Sequence, residues 1–393
     1  MIAGLEPAIA VGWGRGEIMR WFAAAFLLVV SMVWPVPSSV GAEPAVGANW
    51  QSELDRVVLA SGVPGAQLVV SGDSGEMRLN SGVGDVGTGA PFPDDARVRI
   101  ASNTKSFVAA VALQLVGERR VELDSPIEAY LPGVVTGPGG DGRRITVRNL
   151  LQHTSGIPDY LTEVDLDSVA GMQRYRPASE LIETALDRPA EFEPGARWGY
   201  SNTNYLIIGS MIEQLTGLPV GVEVTRRIIL PLGLQETYWP LYPLEQVVRG
   251  PHPRNYLVVG AERVDITDID PNWGLADGAI VASGRDLNRF FMALITGRVV
   301  APAQLEQMRT TIPSGVPLLD QEIGLGLFRR VNRCGIETWG HGGSIAGSSV
   351  VGAATERHAV TIAMNQLPSL ISSLAPHGGV QDVIDMVLCD LAR

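Results

Sequence analysis

The 393-residue chain is 46% hydrophobic and 18% charged, enough apolar material for a substantial core, which sets aside a disordered protein. Its formal net charge of −12 argues against a general nucleic-acid binder, which needs a basic face against phosphates. Its five histidines, at 153, 252, 341, 358 and 377, are scattered and form no His-Glu-x-x-His run, so neither a metal nor a cofactor is expected.

At the N-terminus, Arg20 precedes an apolar run from Trp21 to Trp34, and Pro35, Pro37 and small residues then lead to Val40-Gly41-Ala42. That is the order of a secretory signal, and the run is short for a bilayer span. Residues 1–42 are read as a signal peptide, with an uncleaved anchor as the alternative and Met19 as a candidate true start. Residues 43–393 are read as one domain, released or periplasmic, without a stable membrane span and monomeric. Export permits disulfides, so Cys334 and Cys389 form either one bridge or two buried thiols, and the bridge is favoured.

Trp50–Leu59 has the apolar spacing of an amphipathic helix, and Ala66–Ser71 and Glu76–Asn80 read as two strands. Gly72-Asp-Ser-Gly75 between them makes a hairpin turn. The Asn103–Val116 stretch is apolar on nearly all sides and predicts a buried central helix stopped by Gly117. From Ile145 to about Leu294 the pattern is mainly helical, with segments at Val147–Gln152, Ala178–Leu186, Asn204–Leu215 and Leu287–Leu294. Strand signals return at Gly335–Trp339, Ser348–Ala354 and Ala359–Met364, before a closing helix at Val380–Leu391. The expected fold is α/β of the α+β kind: one antiparallel sheet built from both chain ends, flanked by helices, with a mainly helical subdomain inserted.

Three short runs carry chemistry. In Ser102-Asn-Thr-Lys105, a serine three residues before a lysine on one helix puts both side chains on one face, one turn apart. A serine hydroxyl becomes a nucleophile when a base takes its proton, and a lysine held among apolar groups can be that base. Alone the pattern is common, since a serine also caps helices. Tyr200-Ser-Asn202 follows a loop at Pro194-Gly195 and can supply a proton relay and an amide-binding group. Gly340-His341-Gly342-Gly343-Ser344, placed after a strand at Glu337–Trp339, lets a substrate backbone approach, and the Ser344 amide can be a second oxyanion donor beside that of Ser102.

In this order, Ser102-x-x-Lys105, Tyr200-Ser-Asn202 and His341-Gly-Gly343 resemble the motifs of the penicillin-recognising serine hydrolases: class C β-lactamases, D-alanyl-D-alanine carboxypeptidases and their esterase relatives. The stretches Leu150-Leu-Gln-His153-Thr-Ser-Gly156 and Pro231-Leu-Gly-Leu-Gln-Glu-Thr237 agree, so the likeness runs from about Trp50 to Leu391. Within that group the chain is most similar to secreted actinobacterial D-alanyl-D-alanine carboxypeptidases. The resemblance implies a β-lactamase/transpeptidase-like fold and an acyl-enzyme on Ser102, with Lys105 and Tyr200 moving the proton. It also implies Asn202, His341, Gly342, Gly343 and Ser344 around the substrate, and a Cys334–Cys389 bridge. Trp273, in Asn272-Trp-Gly-Leu-Ala-Asp-Gly278, is a candidate cleft wall on the same grounds, beside an equal reading as a core tryptophan. Two positions depart from the carboxypeptidase pattern: Gly342 stands in place of a threonine and Phe328 in place of an arginine that binds the substrate's terminal carboxylate. Arg329, Arg330 and Arg333 are the nearby replacements. Expected substrates are D-amino-acid peptides, esters or β-lactams. The Ser-Asp-Asn and Lys-Thr-Gly elements of class A enzymes are absent.

Two other classes were weighed. Gly72-Asp-Ser-Gly75 looks like a chymotrypsin-type nucleophile loop, but the first histidine, His153, follows it, and that order is wrong for the fold. A binding or sensor protein that acylates and turns over slowly keeps the same residues, and rapid product release distinguishes the enzyme from it.

Overall fold

Short β-branched and small-residue runs at both ends of the chain pair into one large sheet. The computed structural model describes residues 47, 49–165, 168–172, 174–241, 244–268, 275–315, 321–368 and 379–393. Its first six strands are β1 (Gly65–Gly72), β2 (Gly75–Gly82), β3 (Arg97–Arg99), β4 (Tyr256–Val259), β5 (Glu262–Asp265) and β6 (Val281–Ser283). Then come β7 (Ile312–Pro313), β8 (Glu322–Ile323), β9 (Phe328–Val331), β10 (Glu337–Ile345), β11 (Ser348–Ala354) and β12 (Ala359–Met364). Eight of them form an antiparallel sheet in the order β2-β1-β12-β11-β10-β9-β8-β7, while β3 pairs with β6 and β4 with β5. The two chain ends meet where β1 pairs with β12, from Ala66 opposite Met364 to Ser71 opposite Ala359. The β1–β2 turn is the two-residue Asp73-Ser74, closed by Gly72 opposite Gly75, whose φ of +107° suits glycine.

Both faces of the sheet are covered, which is why β12 reads as a continuous apolar run and is buried along its whole length. On one face the helices Trp50–Ser61 and Val380–Leu391 lay Leu54, Val57, Ile384 and Val387 over Leu68, Val70 and Ile362. On the other, the helix Gly284–Ile295 presses Phe291 and Leu287 against Gly352, and the larger core continues from there into the helical part. Each fully buried side chain of this size contributes roughly 1.5–3 kcal/mol. Cys334, in the turn between β9 and β10, is bonded to Cys389 of the closing helix, with Cα atoms 5.9 Å apart.

Three details differ from the sequence expectation. The stretch expected to be mainly helical contains helices Val147–Leu151, Ala178–Leu186, Thr203–Thr216 and Gly284–Ile295, but also β4, β5 and β6. Strands of three or four residues are too short to show a period. The strand expected at Gly335–Trp339 starts at Glu337 and continues to Ile345, so Gly340–Ser344 lies within it. Glycine there reflects close approach: a Cβ on Gly340 would come 2.0 Å from the Gly352 carbonyl oxygen. Finally, Gly117 is the last residue of its helix, and Arg119, at φ +60°, takes the left-handed conformation instead.

Candidate active site

The helix Thr104–Gly117 is buried on all sides from Thr104 to Leu113, as its apolar composition requires. A single 3₁₀ turn, Ala101–Asn103, feeds it and carries Ser102. Ala101 has φ +47°, a left-handed conformation that costs a non-glycine residue about 1–2 kcal/mol. The turn is held by its surroundings. Ile100 N–H donates to the Ile280 carbonyl at 3.0 Å, and the Asn103 amide donates to the carbonyls of Ile100 at 2.8 Å and Val350 at 3.1 Å.

One turn inward, Lys105 is fully buried and its Nζ reaches three oxygens: Ser102 Oγ at 3.0 Å, Asn202 Oδ1 at 2.7 Å and the Asp277 carbonyl at 2.9 Å. Asn202 Nδ2 donates to Asp159 Oδ2 at 2.8 Å, which turns its Oδ1 toward Lys105. The Asn202 and Asp277 oxygens accept only, so they consume two N–H groups of the amine. The remaining position points at Ser102 Oγ, where an ammonium donates and a neutral amine presents its lone pair to the serine proton. The arrangement therefore allows proton transfer along one defined line.

Tyr200 stands over Lys105, with Nζ 5.1 Å from its ring centroid, and stacks on His153 at 4.3 Å. His153 is held in turn by the Ser201 N–H, which donates to Nδ1 at 3.2 Å. Burial, with Lys105 and His341 adding repulsion, holds the His153 imidazole well below its usual range, so it is a neutral platform for the tyrosine.

The opposite wall is β10. Strand β9 pairs with it only from Glu337 to Gly340, so among the described residues the edge from His341 to Ile345 has no strand partner on that side. His341 Nδ1 donates to the Gly342 carbonyl at 2.5 Å, its ring stacks on Phe328 at 4.3 Å, and Nε2 is buried without a partner among the described residues. Burial first, then Lys105, lowers its pKa to about 3, so it stays neutral in any ordinary buffer. Gly343 lies against the nucleophile turn: a Cβ there would come 2.1 Å from the Ile100 carbonyl oxygen and 3.0 Å from Ser102 N. At Gly342 a Cβ meets no described residue within 4 Å. Gly343→Ala is therefore expected to push β10 away from the Ser102 amide and lower kcat/KM by about 10²-fold or more, the cost of losing one oxyanion donor. Gly342→Ala should change it little, and the comparison is read from rates on one substrate.

Ser102, Tyr200, Asn202, His341, Gly342, Gly343 and Ser344 all line one cleft of about 410 Å³, and Lys105 lies beneath its floor. Leu161, Trp198, Phe328 and Ile345 line it as well, and among its described lining residues there is no lysine or arginine. Trp273 lies outside the described residues. Among the described residues no group of three His, Cys, Asp or Glu side chains is set to hold a metal ion.

Sequence reasoning missed two acids beside Lys105. Asp159 precedes Tyr160, and Asp277 follows Ala276 in the run that contains Trp273. The Tyr160 hydroxyl donates to Asp277 Oδ2 at 2.9 Å, while Asp277 Oδ1 has no partner among the described residues. Burial pushes the Asp277 carboxyl up to about 6 despite the attraction of Lys105. Burial also raises Asp159, against hydrogen bonds from Leu161 N–H and Asn202. A raised acid stabilises the fold fully below its unfolded value of 3.8, and that contribution is lost as pH rises through about 6. Denaturant unfolding of Asp277→Asn against the native protein is thus expected to shift in favour of the variant by about 2 kcal/mol between pH 4 and pH 7. A pH-independent difference would show that Asp277 is not buried as described.

A family model described as Beta-lactamase matches residues 49–373. Penicillin-binding protein 4 of Amycolatopsis lactamdurans is 31% identical over 190 residues, 48% of this chain and 48% of that protein, so the chain spans about half the length of the curated relative it matches. Among solved structures, D-stereospecific amidohydrolase from Streptomyces sp. superposes with a TM-score of 0.78 at 35% identity, over 87% of this chain and 98% of that one. D-amino acid amidase from Ochrobactrum anthropi SV3, complexed with L-phenylalanine amide, superposes with a TM-score of 0.76 at 29% identity, over 88% and 98% of the two chains.

Proposed function

The chain belongs to the beta-lactamase family of serine hydrolases, and from that premise we propose that it cleaves amide bonds of D-amino-acid compounds through an acyl-enzyme on Ser102. The observation that carries the reading is the contact of the fully buried Lys105 Nζ with Ser102 Oγ at 3.0 Å. Ser102 Oγ attacks the substrate carbonyl as its proton passes to Lys105. The oxyanion rests on the N–H groups of Ser102 and Ser344, and Asn202 holds the substrate amide. Tyr200 relays that proton from Lys105 to the leaving amine as the carbon–nitrogen bond breaks, and water then releases the acyl group by the reverse proton route, which returns Ser102, Lys105 and Tyr200 to their starting forms.

The substrate class follows from the walls. Trp198, Phe328, Leu161 and Ile345 suit an apolar or aromatic acyl portion, in keeping with the amidases to which the chain is similar. A D-alanyl-D-alanine carboxypeptidase is the second reading, favoured by the likeness to a penicillin-binding protein. It asks for a cation at the terminal carboxylate. Arg329 is engaged by Glu322 and Glu337, Arg330 lies 4.0 Å from Asp385, and neither lines the cleft. Export, with a leader removed after Ala42, belongs to the same proposal, and the intact mass of protein recovered outside the cytoplasm tests it.

The deciding experiment compares initial rates on D-phenylalanine amide, L-phenylalanine amide, a D-Ala-D-Ala peptide and a penicillin, with intact mass recorded alongside. Fast turnover of the D-amide supports the proposal. Preferential release of D-alanine with a lasting penicillin adduct would replace it by the peptidase, and rapid loss of penicillin would replace it by a β-lactamase. An adduct that persists with every compound would leave only a slow-turnover binding protein.

A further inference from the structure

Beyond the catalytic cleft, a second hollow of about 560 Å³ lies between the Gly195–Gly199 loop and the β7 segment Ile312–Gly315. The two spaces share one described wall residue, Trp198, whose indole Nε1 is buried and has no partner among the described residues. An unsatisfied buried donor is uncommon in a finished fold and calls for a ligand or water to complete it. Among the described residues β7 is also the outermost strand of the sheet, and its far edge pairs with no described strand.

Among the described lining residues of both spaces, Arg197 is the one cation. It is exposed and forms no ion pair with the described residues. Its guanidinium lies 4.0 Å from the Phe192 ring centroid, and one amino group donates to the Trp198 carbonyl at 3.2 Å. Stacking of this kind fixes the plane while leaving most in-plane N–H donors for an anion. The second hollow lies on the Tyr200 side of the cleft, since Trp198 is two residues before Tyr200 with ring centroids 6.4 Å apart. Tyr200 serves the leaving group, so this side receives what lies beyond the scissile bond.

Resting on the amidase reading, we infer that the hollow behind Trp198 is a leaving-group subsite for peptide substrates, in which Arg197 binds the C-terminal carboxylate of a leaving group longer than one residue. The cation absent beside His341 is thus displaced outward, and the enzyme acts as a peptidase on D-residue peptides that end in a free acid. Chemistry at Ser102 is unchanged: the departing amine is that of the leaving peptide, protonated through Tyr200.

The test measures kcat/KM for D-phenylalanine amide, for the tripeptide acid D-Phe-Gly-Gly and for the C-terminal amide of that tripeptide. The acid is expected to exceed its amide by about fivefold, the scale of one exposed charge-assisted contact, and the advantage should shrink in high salt. Arg197→Gln should bring the acid-to-amide ratio to about one, and Arg197→Lys should restore part of it. Equal rates on acid and amide, or a ratio that survives Arg197→Gln, would overturn this inference while turnover of D-phenylalanine amide left the amidase reading standing. Turnover of none of the three would overturn both.

Discussion

Ser102→Ala is expected to reduce kcat/KM by about 10⁴-fold or more and to leave no covalent adduct by intact mass, with thermal unfolding nearly unchanged. The large kinetic loss follows because the nucleophile disappears while every other group stays in place. The small structural cost follows from position. Ser102 is half-buried at the cleft, and among the described residues its side chain is bonded by Lys105 alone, which keeps Asn202 and the Asp277 carbonyl as acceptors. Full activity in this variant, or an adduct mapped to another residue, would remove Ser102 from the mechanism.

Lys105→Met is expected to behave differently, losing about 10³-fold in acylation rate and also a few kcal/mol of stability. Methionine fills much the same volume but cannot donate. Asn202 Oδ1 and the Asp277 carbonyl would each lose a buried donor, at a cost of about 1–3 kcal/mol apiece. Asp277 would lose its nearby cation as well, moving its raised carboxyl further toward the protonated form. The two effects separate experimentally: acylation is timed by mass at a temperature where circular dichroism shows the variant folded. An unimpaired rate there would point to Tyr200 as a base that acts without the lysine.

How much of this was legible in the sequence depended on whether the information was local. Ser102 and Lys105 are one helical turn apart, so spacing alone placed them together. The hairpin turn at Asp73-Ser74 and the apolar β11 and β12 runs were readable for the same reason. Asp159 and Asp277 were not: they meet at Lys105 only because the loop before Tyr160 and the segment before β6 converge across the fold. The extent of β10 was misjudged because its glycines, poor strand formers in isolation, are required by neighbours distant in the chain at Gly352 and Ile100. Ala101 and His153 gave no signal of their left-handed conformations, since neither is the glycine that usually announces one.

The φ of +47° at Ala101 has a consequence for how this protein can change. The cost of that posture is met once, when the chain folds, so substrate meets a serine already aimed and no turnover repeats the expense. A mutational search for thermal tolerance would therefore tend to relax residue 101, and a search for catalytic speed would tend to keep it tense. Along that one dihedral, durability and rate are opposing directions of selection.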